Sequence, residues 1–183
     1  MKGNMMNWGL TIPQAILHAE KYNVDGQLIS RELDGSINST TYGASIKRSK
    51  RLANALTKLG VKIHDRVATI AWNNSRHFET YFAVSGMGAI LHTLNPRYSP
   101  DQLIYILNHA EDSVLIIDPT FIPLVESVQD KLDTVKTIII ASSKDAIPEN
   151  NLNNPLSYEE LINDEPDEFD WPEMAEDDAA SLC

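Results

Sequence analysis

The chain has 183 residues, of which 43% are hydrophobic and 22% are charged, proportions typical of a folded protein with one sizeable core. Its net charge of −11 is concentrated in residues 164–178, where nine Asp or Glu residues occur without Lys or Arg. Outside that stretch, the other 17 of the 26 acidic residues face 15 basic ones. This distribution excludes a basic nucleic-acid-binding surface and indicates a solvated acidic linker rather than a docking motif.

Cysteine usage and hydropathy favour a cytoplasmic protein. Cys183 is the single cysteine, so no disulfide forms within the chain, and no Cys/His spacing resembles a zinc site. The first ten residues lack the apolar run of a signal peptide, and no later segment is long and apolar enough to span a membrane. Peripheral contact with lipid stays open, because it needs no spanning segment.

Three elements are predicted before the main domain: a helix over residues 13–22, a β-hairpin of residues 27–31 and 37–42, and a helix over residues 42–59. The hairpin is indicated by Asp34-Gly35, a dipeptide suited to the positive φ angles of a tight turn. The second helix has an apolar stripe on one face. We interpret its basic residues as a solvated face, with ligand binding as the alternative; they are Lys47, Lys50, Arg51 and Lys58.

Short apolar strands then alternate with helical segments. The predicted strands are residues 67–72, 89–93, 114–117 and 137–141, and the helices that follow them are residues 75–87, 99–110, 120–131 and 157–162. The firmest helix start is Ser99-Pro100-Asp101-Gln102, a capping box with proline at the first helical position. The alternation predicts an α/β fold, a three-layer domain with a mainly parallel sheet flanked by helices.

We predict three parts of the chain: an α/β subdomain over residues 1–163, the acidic linker over residues 164–178, and the start of a strand over residues 179–183. Since nothing follows to complete that strand, we expect a truncated protein of marginal stability. Its exposed sheet edge would invite self-association into a homo-oligomer.

Candidate ligand-binding residues follow the ends of the predicted strands, where open parallel sheets collect ligands. By position they are Trp72, Asn73, Asn74, His92, Thr93, Asn95 and Asp118. The alternatives are core packing for the tryptophan and helix capping or turn formation for Asn73, Asn74 and Asp118. Arg97, after Asn95-Pro96, would bring a guanidinium to an anionic ligand or lie in an exposed turn.

The residues alone predict no catalytic group. His77 and His92 have no Ser, Cys or acidic partner at a recognisable spacing, so neither receives a catalytic role. Neither G-x-x-x-x-G-K nor G-x-G-x-x-G occurs among the eight glycines, so no phosphate loop is predicted. Cofactor-binding and metal-ligating residues are likewise not assigned.

Several segments carry a family resemblance. Val67 to Val84, followed by Gly86 to Arg97, resembles medium- and long-chain fatty acyl-CoA synthetases of the adenylate-forming superfamily. The similarity continues through Ser99 to Asp112 and Val114 to Pro119, and Thr41-Tyr42 is similar to the first core motif of the superfamily. The segments occur in the right order and span nearly the whole chain.

The resemblance implies a two-step ligase. A fatty acid carboxylate attacks the α-phosphate of Mg-ATP to form acyl-adenylate, and the thiol of CoA then displaces AMP. In that family a phosphate-binding loop usually follows the counterpart of Ala180 to Cys183, and it is absent here. The resemblance therefore implies ATP, Mg²⁺ and CoA for a longer parent and an inactive chain by itself. It places four residues at the border of an acyl or CoA pocket: Trp72, Asn74, His77 and Arg97.

Two other interpretations stay open. Another adenylate-forming enzyme, such as a luciferase-like or peptide-synthetase adenylation protein, would share this topology. A stand-alone, non-enzymatic α/β module would instead bind a partner through the acidic segment or the basic helix.

Overall fold

A computed structural model describes residues 3–4 and 6–183 of the chain. In chain order, its helices are α1 (Ile12–Tyr22), α2 (Tyr42–Lys58), α3 (Ser75–Gly86), α4 (Pro100–Ala110), α5 (Ile122–Glu126) and α6 (Tyr158–Asn163). Its strands are β1 (Gln27–Arg31), β2 (Ile37–Thr41), β3 (Arg66–Ile70), β4 (Ile90–Thr93), β5 (Val114–Ile117), β6 (Thr137–Ile140), β7 (Leu156–Ser157) and β8 (Ser181–Leu182).

The strands form two sheets. Six of them make a parallel sheet in the order β7-β6-β5-β3-β4-β8. The other two, β1 and β2, form an antiparallel hairpin whose turn contains Gly35 at φ +85°. The predicted α/β fold, with a parallel sheet and an N-terminal hairpin, is therefore confirmed.

Helices bury both faces of the parallel sheet, which explains why its strands are continuously apolar. The side chains of each strand alternate between two hydrophobic clusters. Along β5, Leu115 and Ile117 enter the cluster that α4 and α5 cover, whereas Val114 and Ile116 enter the cluster under α2, α3 and α6. Within the described part of the chain, no helix combines the length and apolarity needed to cross a bilayer.

Side-chain caps begin the main helices at the predicted positions. Ser99 and Gln102 form the reciprocal capping box of α4, with distances of 3.4 Å from the Gln102 nitrogen to Ser99 Oγ and 2.9 Å from the Ser99 nitrogen to Gln102 Oε1. Thr41 caps α2 by accepting from the Ala44 amide at 3.2 Å. Both caps satisfy amides that have no partner inside the helix.

Apart from minor boundary shifts elsewhere, three elements differ from the predictions. β3 ends at Ile70 rather than at residue 72, because the backbone there turns toward β5. The predicted helix 120–131 is wrong as a single element, since α5 lies between two short 3₁₀ turns. Pro123 stands in the first turn of α5, and its ring would clash with the carbonyl of residue 119 if the helix continued from the turn before it, but it does not account for the end of α5 at Glu126. The two-residue β7 was not predicted, because a strand this short has no readable period.

Residues 164–178, hereafter the strap, lie against the domain in an extended conformation. Most of their carboxylates are exposed, but Phe169 and Trp171 pack against the hydrophobic cluster under α2 and α3. Asn54 of α2 donates its amide to the carbonyl oxygens of Pro166 and Glu168 at 3.0 and 2.9 Å. The prediction of a solvated linker did not include this apolar side. Two aromatic residues spaced two apart in an extended chain point to the same side and so make it apolar.

Candidate functional site

The strand order points to one edge of the sheet as the candidate ligand-binding edge, hereafter the ligand-binding edge. β3 continues through α3 to β4 on one side, and the chain then returns through α4 to β5 on the other side of β3. The segments that leave β3 and β5 therefore diverge to opposite faces and open a crevice between the carboxyl ends of these strands. Open α/β sheets bind ligands in this kind of crevice.

Three predicted candidates meet in the crevice. Asp118, which is fully buried at the end of β5, accepts the Trp72 amide at 2.6 Å and the Asn74 side-chain amide at 3.3 Å. Asn74 also caps α3 by accepting from the His77 backbone at 3.0 Å. Burial raises the pKa of Asp118, and the two amide donors oppose that rise. The polar atoms of Asn74 and Asp118 are thus engaged in capping and loop closure.

Trp72 offers the crevice an apolar surface. Its side chain is 48% exposed, so the alternative of a core-packed tryptophan does not describe it. The ring lies 5.3 Å from that of Phe121 at an interplanar angle of 37°. One side of the indole is therefore supported by Phe121, while the rest is open to solvent.

His77 lies one turn along α3 from its cap. Its Nε2 is 3.3 Å from the Thr69 hydroxyl, and burial lowers the pKa of the imidazole. Together with Asn74 it lines a cavity of about 280 Å³ between the hairpin and α3. Arg97 stands apart, in an exposed turn closed by the side chain of Asn95, whose Oδ1 accepts the Arg97 amide at 3.0 Å.

The lowered pKa of His77 predicts a pH effect on stability. The unfolded chain keeps the ordinary pKa of about 6.5, so it binds a proton more readily than the folded chain and stability falls as pH falls through that value. We expect His77→Gln to flatten the decline in unfolding free energy between about pH 7.5 and pH 5.5. Urea unfolding measures it, with the exposed His109→Gln as control; equal slopes in wild type and His77→Gln would contradict the prediction.

His92 has an acidic partner that its spacing in the sequence did not reveal. Its Nδ1 lies 2.7 Å from Asp112 Oδ2, with Asp112 just before β5. Burial raises the pKa of Asp112, and His92 opposes that rise. Both side chains are buried, so a substrate cannot reach the pair. The contact links β4 to the segment that follows α4.

The sequence reasoning missed an ionic cluster of five residues: Glu32 in the hairpin, Arg48 on α2, Arg76 and Glu79 on α3, and Glu159 on α6. These residues line part of a cavity of about 890 Å³ between the hairpin and the carboxyl ends of β5 and β6. Partners in the cluster lie up to 111 positions apart in the sequence. The available signal was a pair of charged residues, Arg76 and Glu79, three residues apart on α3.

Arg48 is the centre of the ionic cluster. Its guanidinium contacts Glu79 at 2.7 Å and Glu159 at 3.0 Å, and Tyr158 donates to the other oxygen of Glu79 at 2.8 Å. Burial raises the pKa of Glu79, and Arg48 opposes that rise. For Glu159 burial acts in the same direction, but Arg48 and Arg76 outweigh it and lower the pKa.

The described residues do not fit ATP phosphates or Mg²⁺. In residues 3–4 and 6–183, no three His, Cys, Asp or Glu side chains are grouped as metal ligands. Gly86 and Gly88 end α3, whereas a phosphate loop opens a helix after a strand. We therefore derive no reaction step through these groups.

The fold is a parallel α/β domain with a crevice at the carboxyl ends of its strands, and comparison with known proteins gives its family. The family described as AMP-binding enzyme matches residues 18–183. Because this match covers most of the chain, the chain belongs to the AMP-binding enzyme family.

Similar proteins with assigned activities are CoA ligases. The 3-methylmercaptopropionyl-CoA ligase of Ruegeria lacuscaerulensis is 42% identical over 183 residues, which make up 100% of this chain and 34% of that enzyme. The medium-chain-fatty-acid–CoA ligase of Ectopseudomonas oleovorans is 38% identical over 183 residues, again 100% of this chain and 34% of that enzyme. The long-chain-fatty-acid–CoA ligase of Thermus thermophilus is 46% identical over 81% of this chain and 26% of the enzyme. The chain thus spans about a third of these relatives or less.

A solved structure shares the fold. The anthranilate CoA ligase AuaEII, in complex with anthranoyl-AMP, superposes on 100% of this chain and 33% of its own with a TM-score of 0.81. At 22% sequence identity, this similarity shows the fold alone.

Proposed function

We propose that this chain is the amino-terminal part of an AMP-forming acyl-CoA ligase. The parent would form acyl-adenylate from a fatty acid and ATP, and then acyl-CoA, in the cytoplasm or in peripheral contact with a membrane. The observation that carries the proposal is 42% identity over the whole chain to a CoA ligase of which the chain spans 34%. The chain by itself would be inactive, because its sequence contains no phosphate loop and residues 3–4 and 6–183 form no metal site.

The chain's contribution would be one wall of the acyl or CoA pocket. A carboxylate is a poor electrophile, and its adenylate has a good leaving group, so the parent must hold the acid and then the thiol beside the same centre. The open face of Trp72 suits an apolar acyl or pantetheine segment, and the exposed guanidinium of Arg97 suits an anionic phosphate. Asn74 and His77 would border the pocket through the cavity beside the hairpin.

Fatty-acid-dependent exchange between ATP and pyrophosphate tests the ligase proposal. We expect exchange in a protein that carries the whole AMP-binding domain and none in the 183-residue chain. Exchange that fails in the longer protein with every acid tested would overturn the assignment. The stand-alone binding module is less well supported, because basic residues of α2 form ion pairs with the strap, Lys47 with Asp167 and Lys58 with Glu165.

Arg97→Ala in the longer protein tests the pocket border. Losing one charged contact to a phosphate is expected to raise the KM for CoA roughly tenfold and leave the acid-dependent exchange unchanged. Lys136→Ala is the matched control, because Lys136 is exposed just before β6, at the opposite edge of the sheet. Equal KM values for CoA in wild type and Arg97→Ala would remove Arg97 from the pocket.

A second acid deserves the same assay. The 42% identity to a ligase named for 3-methylmercaptopropionate favours a short thioether acid as the alternative substrate. A panel containing this acid and saturated fatty acids of increasing length separates the two candidates by their kcat/KM values. We also propose self-association through the outer edge of β8, to be tested by light scattering on dilution.

A further inference from the structure

Trp171 of the strap packs into a notch on the domain, which is present because residue 86 is a glycine. A Cβ atom at Gly86 would lie 2.8 Å from Trp171 Cζ3 and 2.9 Å from Ile16 Cδ1, distances that side-chain carbons do not tolerate. Next to it, a Cβ at Gly88 would lie 3.2 Å from Met174 Sδ. The end of α3 is therefore shaped to receive the apolar side of the strap.

Polar contacts hold the same segment on α2. The Asn54 amide bridges two strap carbonyl oxygens two residues apart, as a neighbouring strand would. Lys58 Nζ lies 2.8 Å from the Glu165 carboxylate, and Lys47 Nζ lies 3.4 Å from that of Asp167. The Lys47–Asp167 pair is exposed and contributes little. The Glu165 side chain is only 10% exposed, so the tryptophan, Asn54 and the Lys58–Glu165 pair supply most of the attachment.

The strap leads directly into β8. Immediately before β8, the Ala180 carbonyl oxygen accepts from Ser85 Oγ at 2.8 Å and from the Leu91 amide at 3.1 Å. β8 pairs with β4 over two residues only, and a ladder this short is too weak to keep a strand in place by itself. Its position therefore depends on the strap that precedes it.

The carboxyl end of β8 lies at the ligand-binding edge. β8 is parallel to β4, and Cys183 Sγ lies 3.6 Å from the Thr93 hydroxyl at the end of β4. The crevice between β3 and β5 opens at this same edge, since all six strands are parallel. Any shift of β8 would move the backbone that leaves the sheet beside the candidate site.

We propose that Trp171 and Asn54 are positioning residues, which hold β8 in register with β4 and so fix the backbone leaving β8 at the ligand-binding edge. Which ligand is bound there rests on the proposed function; the positioning itself does not. Neither residue touches the crevice, so each acts through the strap and β8.

Trp171→Phe is a conservative control for Trp171→Ala. In the described part of the chain, its buried Nε1 has no hydrogen-bond partner, so the indole is held by packing alone. Phenylalanine keeps most of that packing and removes the unpaired N–H group. Trp171→Phe should therefore preserve the position of β8, whereas Trp171→Ala should not.

Hydrogen exchange of the Leu91 amide in the 183-residue chain tests the proposal without requiring catalysis, so its failure is distinct from failure of the ligase assignment. We expect Trp171→Ala to speed Leu91 exchange at least tenfold, Trp171→Phe to restore the wild-type rate, and the Leu115 amide in central β5 to be unaffected. An unchanged Leu91 rate in a folded Trp171→Ala chain would overturn the proposal.

Asn54→Ala keeps the test decisive if Trp171→Ala fails to fold. This variant removes the two hydrogen bonds to the strap and leaves the aromatic packing in place. Faster exchange at Leu91 with unchanged exchange at Leu115 supports the positioning role. Equally faster exchange at both amides would show that the strap does not control β8. Unchanged exchange at both amides would show the same.

Discussion

Replacing Arg48 by methionine should lower the free energy of unfolding by about 3 kcal/mol. The substitution keeps much of the aliphatic stem but leaves Glu79, whose side chain is only 3% exposed, without its cationic partner. An uncompensated buried carboxylate is far more costly than the pair was favourable. Urea unfolding at pH 7 measures the loss.

Lys47→Met is the matched control, one residue earlier on α2. Lys47 is 62% exposed in its ion pair with Asp167, and such pairs are worth about 0–1 kcal/mol. Adding Glu79→Gln to Arg48→Met should recover part of the loss, because it removes the unpaired charge. Equal stabilities for Lys47→Met and Arg48→Met would show that the ionic cluster does not stabilise the fold.

The deficit of Arg48→Met should also depend on pH. Burial raises the pKa of Glu79, and without Arg48 nothing of comparable strength opposes it. When the pKa of a carboxyl group is higher in the folded chain than in the unfolded chain, the free energy of unfolding decreases as pH rises through the folded pKa. The variant should therefore be least impaired at acidic pH. A deficit that does not shrink between pH 8 and about pH 5 would mean that Glu79 is not the group left unpaired.

Asp118→Ala should lower the free energy of unfolding by about 2–3 kcal/mol. It removes the acceptor of the Trp72 amide and of the Asn74 side chain, both at the crevice. Asp118→Asn keeps one carbonyl acceptor of the same shape and should cost about half as much. Urea unfolding gives the free energies, and the NMR shift of the Trp72 amide reports the loop.

An Asp118→Ala variant as stable as Asp118→Asn would contradict this account of the crevice. It would mean that the loop after β3 holds its conformation without a side-chain acceptor at residue 118.

The sequence predicted the elements whose causes are local. The hairpin follows from Asp34-Gly35, α4 from its capping box, and the buried strands from apolar runs too continuous for one wet face. The helical stretch at residues 120–131 was the exception, because the effect of Pro123 on the backbone was not weighed.

The position of the candidate site was predicted in part. Trp72, Asn74 and Asp118 lie together, as expected from the rule that the carboxyl ends of parallel strands meet at one edge, and their role in ligand binding stays a prediction. The His92–Asp112 pair and the ionic cluster were not found, because their partners are separated by 20 to 111 positions and only the crossovers bring them together.

By itself, the sequence determined the α/β class, the capping box of α4 and the elements that meet at the candidate edge, because periodicity and capping act within a few residues. Only the tertiary structure decided which charges pair and that the acidic segment is a docked strap. Apolar side chains two residues apart, such as those of Phe169 and Trp171, form a buried side only where another surface lies against them. Here that surface is the glycine-lined end of α3.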